Sequence, residues 1–427
     1  MAFGPAPPPA TAPPTETPPP TTAPVAEPID HATATDRESV TLEQVFALLK
    51  ERSPRYQAYR ADVDVAKAEV TAARVLPNPV LNLAILYLNA GFNQNGVATY
   101  YANATLPLLI AGQRRMRTKT AKVGVRAAEA ELAKNYHDLA HEARGLFVEL
   151  LADQARLDVL DRALEDLKRL QELIAARKAS GAETNYDILR IDVEAASWKS
   201  RRAEEEAEAF DTAGHLGVAL GLPGWAPEAD GELALVGVHG DADKLWAEVE
   251  RTQPTIVAAR HNEAYAAKTI DLAKRERWPV PSITAGTVAI QNYYSISTQF
   301  GITVPIPMFD WGQGMIARAK TQNTRARKEK EAIMAETQAE LKRALRVLEH
   351  HKQVLAQFDR DVYAQLPKLA QMSEDAYKAG SAELIDLLDA TRTRFEIDLQ
   401  RVDLLEATAQ AEVDVLAATG RIEQDAR

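Results

Sequence analysis

The sequence has no cysteine among its 427 residues. That excludes disulfides, thiolate metal sites and a cysteine nucleophile, and it leaves the redox compartment open. Aromatic residues are scarce, at 6%. The bulk is Ala, Leu, Glu, Arg and Lys, a composition that favours long helices. No run of about 18 apolar residues occurs, so no transmembrane helix is expected. Positive charge is in deficit, with a formal net charge of −11, which argues against a general nucleic-acid surface. No Gly-rich phosphate loop, nucleophile elbow or HExxH pair is present. His137 and His141 stand at i, i+4 beside Glu142, but they read as a polar stripe on a long helix. His350 and His351 point apart. No catalytic residue, metal site or cofactor is expected. No secretory leader is visible. Residues 1–39, rich in Pro, Thr and Ala, are expected to be disordered; for an exported protein the leader would have been removed.

What is present is a repeat. Ser53-Pro54 recurs as Gln253-Pro254, Leu106-Pro107-Leu108 as Val304-Pro305-Ile306, and Gly112-Gln113 as Gly312-Gln313. Gly181, six residues before Asp187, recurs as Gly380, six before Asp386. A period near 200 residues means two copies of one large unit rather than a solenoid. The division expected is 40–222 and 242–422, joined by 223–241 and followed by a tail at 423–427. Each copy reads as a short helix, a second helix after a proline, an uncharged segment, a very long helix and a shorter returning helix. The long helices are expected over 113–179 and 313–379, with Pro367 bending the second near its end.

The uncharged segments need a cause in a chain that is 26% charged. No charge occurs between Arg74 and Arg114, or between Arg277 and Asp310. Both segments alternate with period two. Leu81, Leu83, Ile85 and Tyr87 flank Asn82 and Ala84; Ile296, Thr298, Phe300 and Ile302 alternate with Ser295, Ser297, Gln299 and Gly301. The polar set is small and neutral, suiting a wall that faces water. Each segment splits at a turn (89–96 and 291–292), giving hairpins at about 79–107 and 281–305 with strands long enough to cross a bilayer at a tilt. Tyr87, Tyr100, Tyr101, Tyr293 and Tyr294 near the turns, and Trp278, Phe309 and Trp311 at the opposite end, are candidate aromatic girdles. Four strands cannot close a barrel, and open edges are not viable in lipid. Three copies would supply twelve.

The long helices carry heptads. Leu132, Leu139, Leu146, Leu160, Leu167 and Ile174 share one sevenfold register, broken by Asp153; Leu341, Leu348, Leu355, Val362 and Leu369 share another. Repeat, hairpins and helix lengths together resemble the TolC-like outer-membrane efflux factors over about 40–422. Leu76-Pro77-Asn78-Pro79, Gly112-Gln113-Arg114-Arg115 and Val304-Pro305-Ile306-Pro307-Met308-Phe309-Asp310 resemble the CzcC-like branch that serves heavy-metal exporters. The resemblance implies a mainly α protein with a membrane β-barrel: a homotrimer with a twelve-stranded barrel in the outer membrane of a Gram-negative bacterium and a coiled-coil tunnel in the periplasm. It implies a passive duct that works with a periplasmic adaptor and an inner-membrane pump of the resistance-nodulation-division type, with metal cations as cargo. Tyr377 through Thr391 resembles the family's gate segment. There Asp386 and Asp389, one helical turn apart, would ring the pore beside Tyr377, with Asp187 as the first-repeat counterpart. Ala382 stands where the family's best-known member has a gate arginine. The competing reading is a coiled-coil scaffold at a membrane surface.

Overall fold

The computed structural model describes residues 39–87, 98–179, 184–291 and 295–424. The first half runs β1 (Ser39–Val40), α1 (Leu42–Arg52), α2 (Pro54–Ala72), β2 (Val80–Tyr87), β3 (Ala98–Pro107), α3 (Gln113–Ala179) and α4 (Asn185–Leu220). After β4 (Glu228–Ala229), the order recurs as α5 (Ala242–Thr252), α6 (Pro254–Glu276), β5 (Ser282–Ile290), β6 (Ser295–Thr303) and α7 (Gln313–Asp361). A 3-10 turn (Tyr363–Gln365), α8 (Leu366–Lys378) and α9 (Leu384–Thr419) follow.

The second long helix is broken rather than bent. Pro367 has no N–H, and its ring would clash with the Tyr363 carbonyl in a continuous helix. The chain leaves α7 at Val362, turns through the 3-10 segment, and restarts with Pro367 in the first turn of α8, where no donor is needed. The seam ends with it: Leu341, Leu348 and Leu355 are buried, whereas Leu369 beyond the break is exposed. By contrast α3 runs unbroken for 67 residues, about 100 Å at the usual helical rise.

Two short helices stacked end to end flank each long one. α3 packs on α2 and then α4, and on α6 and then α9; α7 packs on α6 and then α9. At each joint a helix C-terminus meets the N-terminus of the next. Gly221 caps α4 at φ +79°, and a Cβ there would sit 2.8 Å from the Arg52 carbonyl oxygen and overlap the Pro54 ring. Gly420 caps α9 at φ +74° against Pro254 in the same way. Ser53 Oγ donates to the Ala219 carbonyl, 3.3 Å, and Gln253 Nε2 to the Ala417 carbonyl, 3.4 Å. Carbonyls that a helix end leaves unpaired are thus partly satisfied, and opposite helix-dipole ends face each other.

The segment between the halves is pinned at this level. β1 pairs with β4 in parallel. Glu412 of α9 is 1% exposed and accepts from the backbone N–H groups of Val236, Gly237 and Val238 at 2.6–3.1 Å and from Lys352 of α7 at 2.9 Å.

Candidate functional site

The four long strands form one antiparallel sheet in the order β2-β3-β5-β6, so the two hairpins join through β3 and β5. Its register decides which side chains share a face. Leu83 pairs with Ala102, Ala102 with Thr287, and Thr287 with Thr298; the next row is Leu81, Ala104, Ala285 and Phe300. All four alternations are therefore in phase, and one face is largely apolar, with Thr287 and Thr298 as its threonines. The other face carries Asn82, Asn103, Gly286 and Gln299 in one row and Ala84, Tyr101, Val288 and Ser297 in the next.

Exposure on this sheet is the reverse of what a water-soluble sheet shows. Leu83 is 70% exposed and Phe300 80%. On β3 the side chains of Thr99, Tyr101, Asn103 and Thr105 are half-buried, while Tyr100, Ala102, Ala104 and Leu106 are exposed. On β2 and β6 both faces are exposed, whereas on the inner strands β3 and β5 the polar side is the more enclosed one. Close packing continues there: the Asn103 side chain lies across Gly286, where any Cβ would collide with it, and Thr105 Oγ1 is 3.0 Å from Thr284 Oγ1. Among the described residues β2 and β6 have no outer neighbour.

The candidate girdle divides. Tyr87 and Tyr100 lie on the apolar face and are exposed, but Tyr101 falls on the polar face with Val288 and Ser297. Adjacent strand residues point oppositely, so Tyr100 and Tyr101 cannot both belong to one girdle. Tyr293 and Tyr294 lie outside the described residues, as does the first turn, 89–96. At the other end of the sheet Trp278, Phe309 and Trp311 are 50%, 90% and 53% exposed.

The candidate gate residues sit at the far end of the helices. Asp386 is at the third position of α9 and accepts from the Glu383 backbone N–H at 3.0 Å. Asp187 does the same for α4, accepting from the Thr184 N–H at 2.8 Å and hydroxyl at 2.6 Å. Both complete capping boxes, a role the sequence reading missed although Thr184-x-x-Asp187 carries its signature. Asp386 and Asp389 are both exposed, while Leu384, Leu387 and Leu388 turn inward. Tyr377 is not beside them at a surface: it is 2% exposed, in a core with Leu384, Leu387, Trp198 and Phe395. Its ring fills the last turn of α8 and braces the start of α9.

Asp153, the break in the α3 heptads, is 1% exposed. It pairs with Arg156 at 2.8 Å, and Arg156 also meets Glu205 of α4 and Asp403 and Glu406 of α9. Burial pushes the carboxyls of Asp153, Glu205 and Glu406 up, against the pull of Arg156. His137 turns its Nε2 to the Ala417 carbonyl at 2.9 Å, and His141 turns to Asp414 at 3.1 Å. Each imidazole of the candidate pair thus bonds within α9.

Residues 45–221 match the outer membrane efflux protein family. A relative, the cobalt-zinc-cadmium resistance protein CzcC of Cupriavidus metallidurans, is 24% identical over 90% of each chain. Another relative, the pyoverdine export outer membrane protein OpmQ of Pseudomonas putida, is 22% identical over 64% of this chain and 60% of its own. Solved structures of family folds superpose over nearly the whole protein. CusC gives a TM-score of 0.72 at 17% identity, covering 90% of this chain and 93% of its own. The outer membrane protein VceC from Vibrio cholerae gives 0.68 at 16% identity, covering 89% and 96%. The mainly helical fold with its four-stranded sheet is thus that of outer-membrane efflux channels.

Proposed function

We propose that three copies of this chain close their sheets into one twelve-stranded barrel in the outer membrane of a Gram-negative bacterium, continued by a helical tunnel in the periplasm. The observation that carries this reading is the sheet itself: four strands in register, no charge, a largely apolar face that is exposed on every strand, and a neutral polar face that is half-buried on the two inner strands. In water an exposed apolar face of this kind has nothing to offset its cost; in hydrocarbon it is the solvated side. Barrel closure requires partners for the outer edges of β2 and β6, because each unpaired backbone group in lipid costs several kcal/mol. The repeats divide as 40–222 and 242–422 about the segment at 223–241.

The duct is passive and takes cargo from a periplasmic adaptor and an inner-membrane pump of the resistance-nodulation-division type. The similarity to a cobalt-zinc-cadmium resistance protein favours metal cations as that cargo. Asp386 and Asp389 are the candidate pore ring, six carboxylates by threefold symmetry. Both are exposed beside a buried apolar set, as a lumen-facing pair would be. Tyr377 supports the ring from the core. The mass of the purified protein in detergent tests the assembly: a trimer with β signal is expected, and a stable monomer with the same β content rules out the closed barrel.

A further inference from the structure

Next to the sheet, positive charge gathers at the N-termini of α3 and α7, where it is unfavourable to the helix, as well as at the C-termini of α2 and α6. A helix N-terminus is favoured by acids and disfavoured by cations. Yet the first turn of α3 has no acid, and Arg114 and Arg115 stand in it, with Lys119 a turn further on. The first turn of α7 also has no acid, and Arg318 and Lys320 follow. Lys274, Arg275 and Arg277 end the neighbouring α6, and Arg74 lies just beyond α2.

These cations are exposed, and none makes an ion pair among the described residues. Of the acids nearby, Glu276 is held by Arg117 at 2.6 Å and Asp271 by Lys268 at 2.8 Å. Asp310, which accepts from the Gly312 N–H at 2.9 Å, is the one nearby acid without a cation among the described residues, against these nine cations. Further along α7 the pattern changes, with Arg325, Arg327, Lys328 and Lys330 all paired to glutamates. In a chain of net charge −11, the nine cations thus gather without an ion pair in a band at the sheet end of four helices. Lys320 is seven residues beyond the start of α7, so the band is about 10 Å deep at the helical rise. It lies directly behind the exposed Trp278, Phe309 and Trp311. Moving from sheet to helix, the surface is apolar, then aromatic, then basic, the order of hydrocarbon, interface and headgroup.

We propose that this band binds the phosphate headgroups of anionic phospholipids in the membrane leaflet on the helical side of the barrel. The proposal rests on the membrane reading above. Headgroup phosphates supply the counter-charge that the protein withholds. The lipid then fixes the depth at which the helices leave the bilayer.

Tryptophan quenching by brominated lipid tests it, because Trp278 and Trp311 lie beside the band while Trp198, Trp225 and Trp246 lie in the helical part. The full-length protein is reconstituted into vesicles of brominated phosphatidylglycerol or brominated phosphatidylcholine. The anionic lipid should quench with an apparent affinity about fivefold higher at low salt, and the preference should fade in high salt. Combining Arg115→Gln, Lys119→Gln, Arg275→Gln and Arg318→Gln should bring the ratio close to one; if that variant does not assemble, the salt titration of the unaltered protein decides. Equal quenching by both lipids at low salt overturns the headgroup proposal alone. Quenching by neither lipid overturns the membrane reading itself.

Discussion

At the scale of single residues, the positions that constrain this fold are those where a side chain is forbidden or misplaced. Gly221 and Gly224 both have positive φ, +79° and +87°, but only Gly221 abuts another segment. Gly224→Ala should cost about 1–2 kcal/mol for the left-handed backbone. Gly221→Ala should cost more, since its Cβ must also displace Pro54 and the Arg52 carbonyl from the helix joint. Thermal unfolding of the two variants in detergent measures the difference; equal losses mean that the joint is slack. Asp153 is misplaced in the other sense. Its folded carboxyl, raised by burial among Glu149, Glu205, Glu208, Asp403 and Glu406 with Arg156 the facing cation, binds a proton more readily than the unfolded chain does. Between the ordinary carboxylate range and that raised value the folded state holds the extra proton. This group's contribution to stability therefore falls as pH rises through the raised value. Asp153→Asn should flatten the fall in melting temperature as pH rises from about 4, the ordinary carboxylate value, towards neutrality, and be neutral to stabilising at the higher pH, because Arg156 keeps three other acids. An unchanged pH slope in the variant would show that Asp153 does not titrate in this range.

At the scale of elements, the strands test the membrane reading. Leu83→Arg or Phe300→Arg puts a cation on the apolar face and should cost roughly 2–4 kcal/mol at each site near mid-bilayer. Gln299→Lys adds the same charge to the polar face and should be mild. Heat-modifiable migration of the assembled protein reports the outcome, and equal tolerance of all three contradicts the assignment of faces. These strands were legible in the sequence because period two and the absence of charge are local signals. So were α1 and α5, whose bounds follow from a cap at one end and the proline junction at the other. The joining of the hairpins through β3 and β5 was not legible, since pairing between segments nearly 200 residues apart leaves no local pattern. Pro367 was seen, but a bend and a break differ only in whether the chain can restart a helix at once, which depends on tertiary support. Tyr101 was misassigned because proximity to the turn was weighed above the alternation that fixes its face. Asp386 and Asp187 were noticed for their spacing from a glycine, although a carboxylate three residues into a helix is first of all a cap.

At the scale of the whole molecule, the threefold symmetry of the proposed trimer would turn each of these residues into a ring, and the proposed gate is where that matters most. Asp386 and Asp389 would contribute six carboxylates at one constriction. Such a ring attracts cations and repels anions. Divalent cations bridging the ring should block current. The two aspartates are not equivalent, however. Asp386 also accepts from the Glu383 N–H, so replacing it disturbs the start of α9 by roughly 1 kcal/mol as well as removing charge. Asp389 has no such duty in the capping box, and Asp389→Asn is the cleaner probe. In planar-bilayer recordings Asp389→Asn should weaken cation preference and divalent block while single-channel conductance stays that of an intact barrel. Adding Asp386→Asn should weaken both further, at some cost to the stability of the closed state. If the double variant keeps its selectivity and its divalent block, the two aspartates lie on an outer face of the tunnel. The constriction must then be sought on the other helix that begins at this end, around Asp187, whose carboxylate caps α4 in the same geometry.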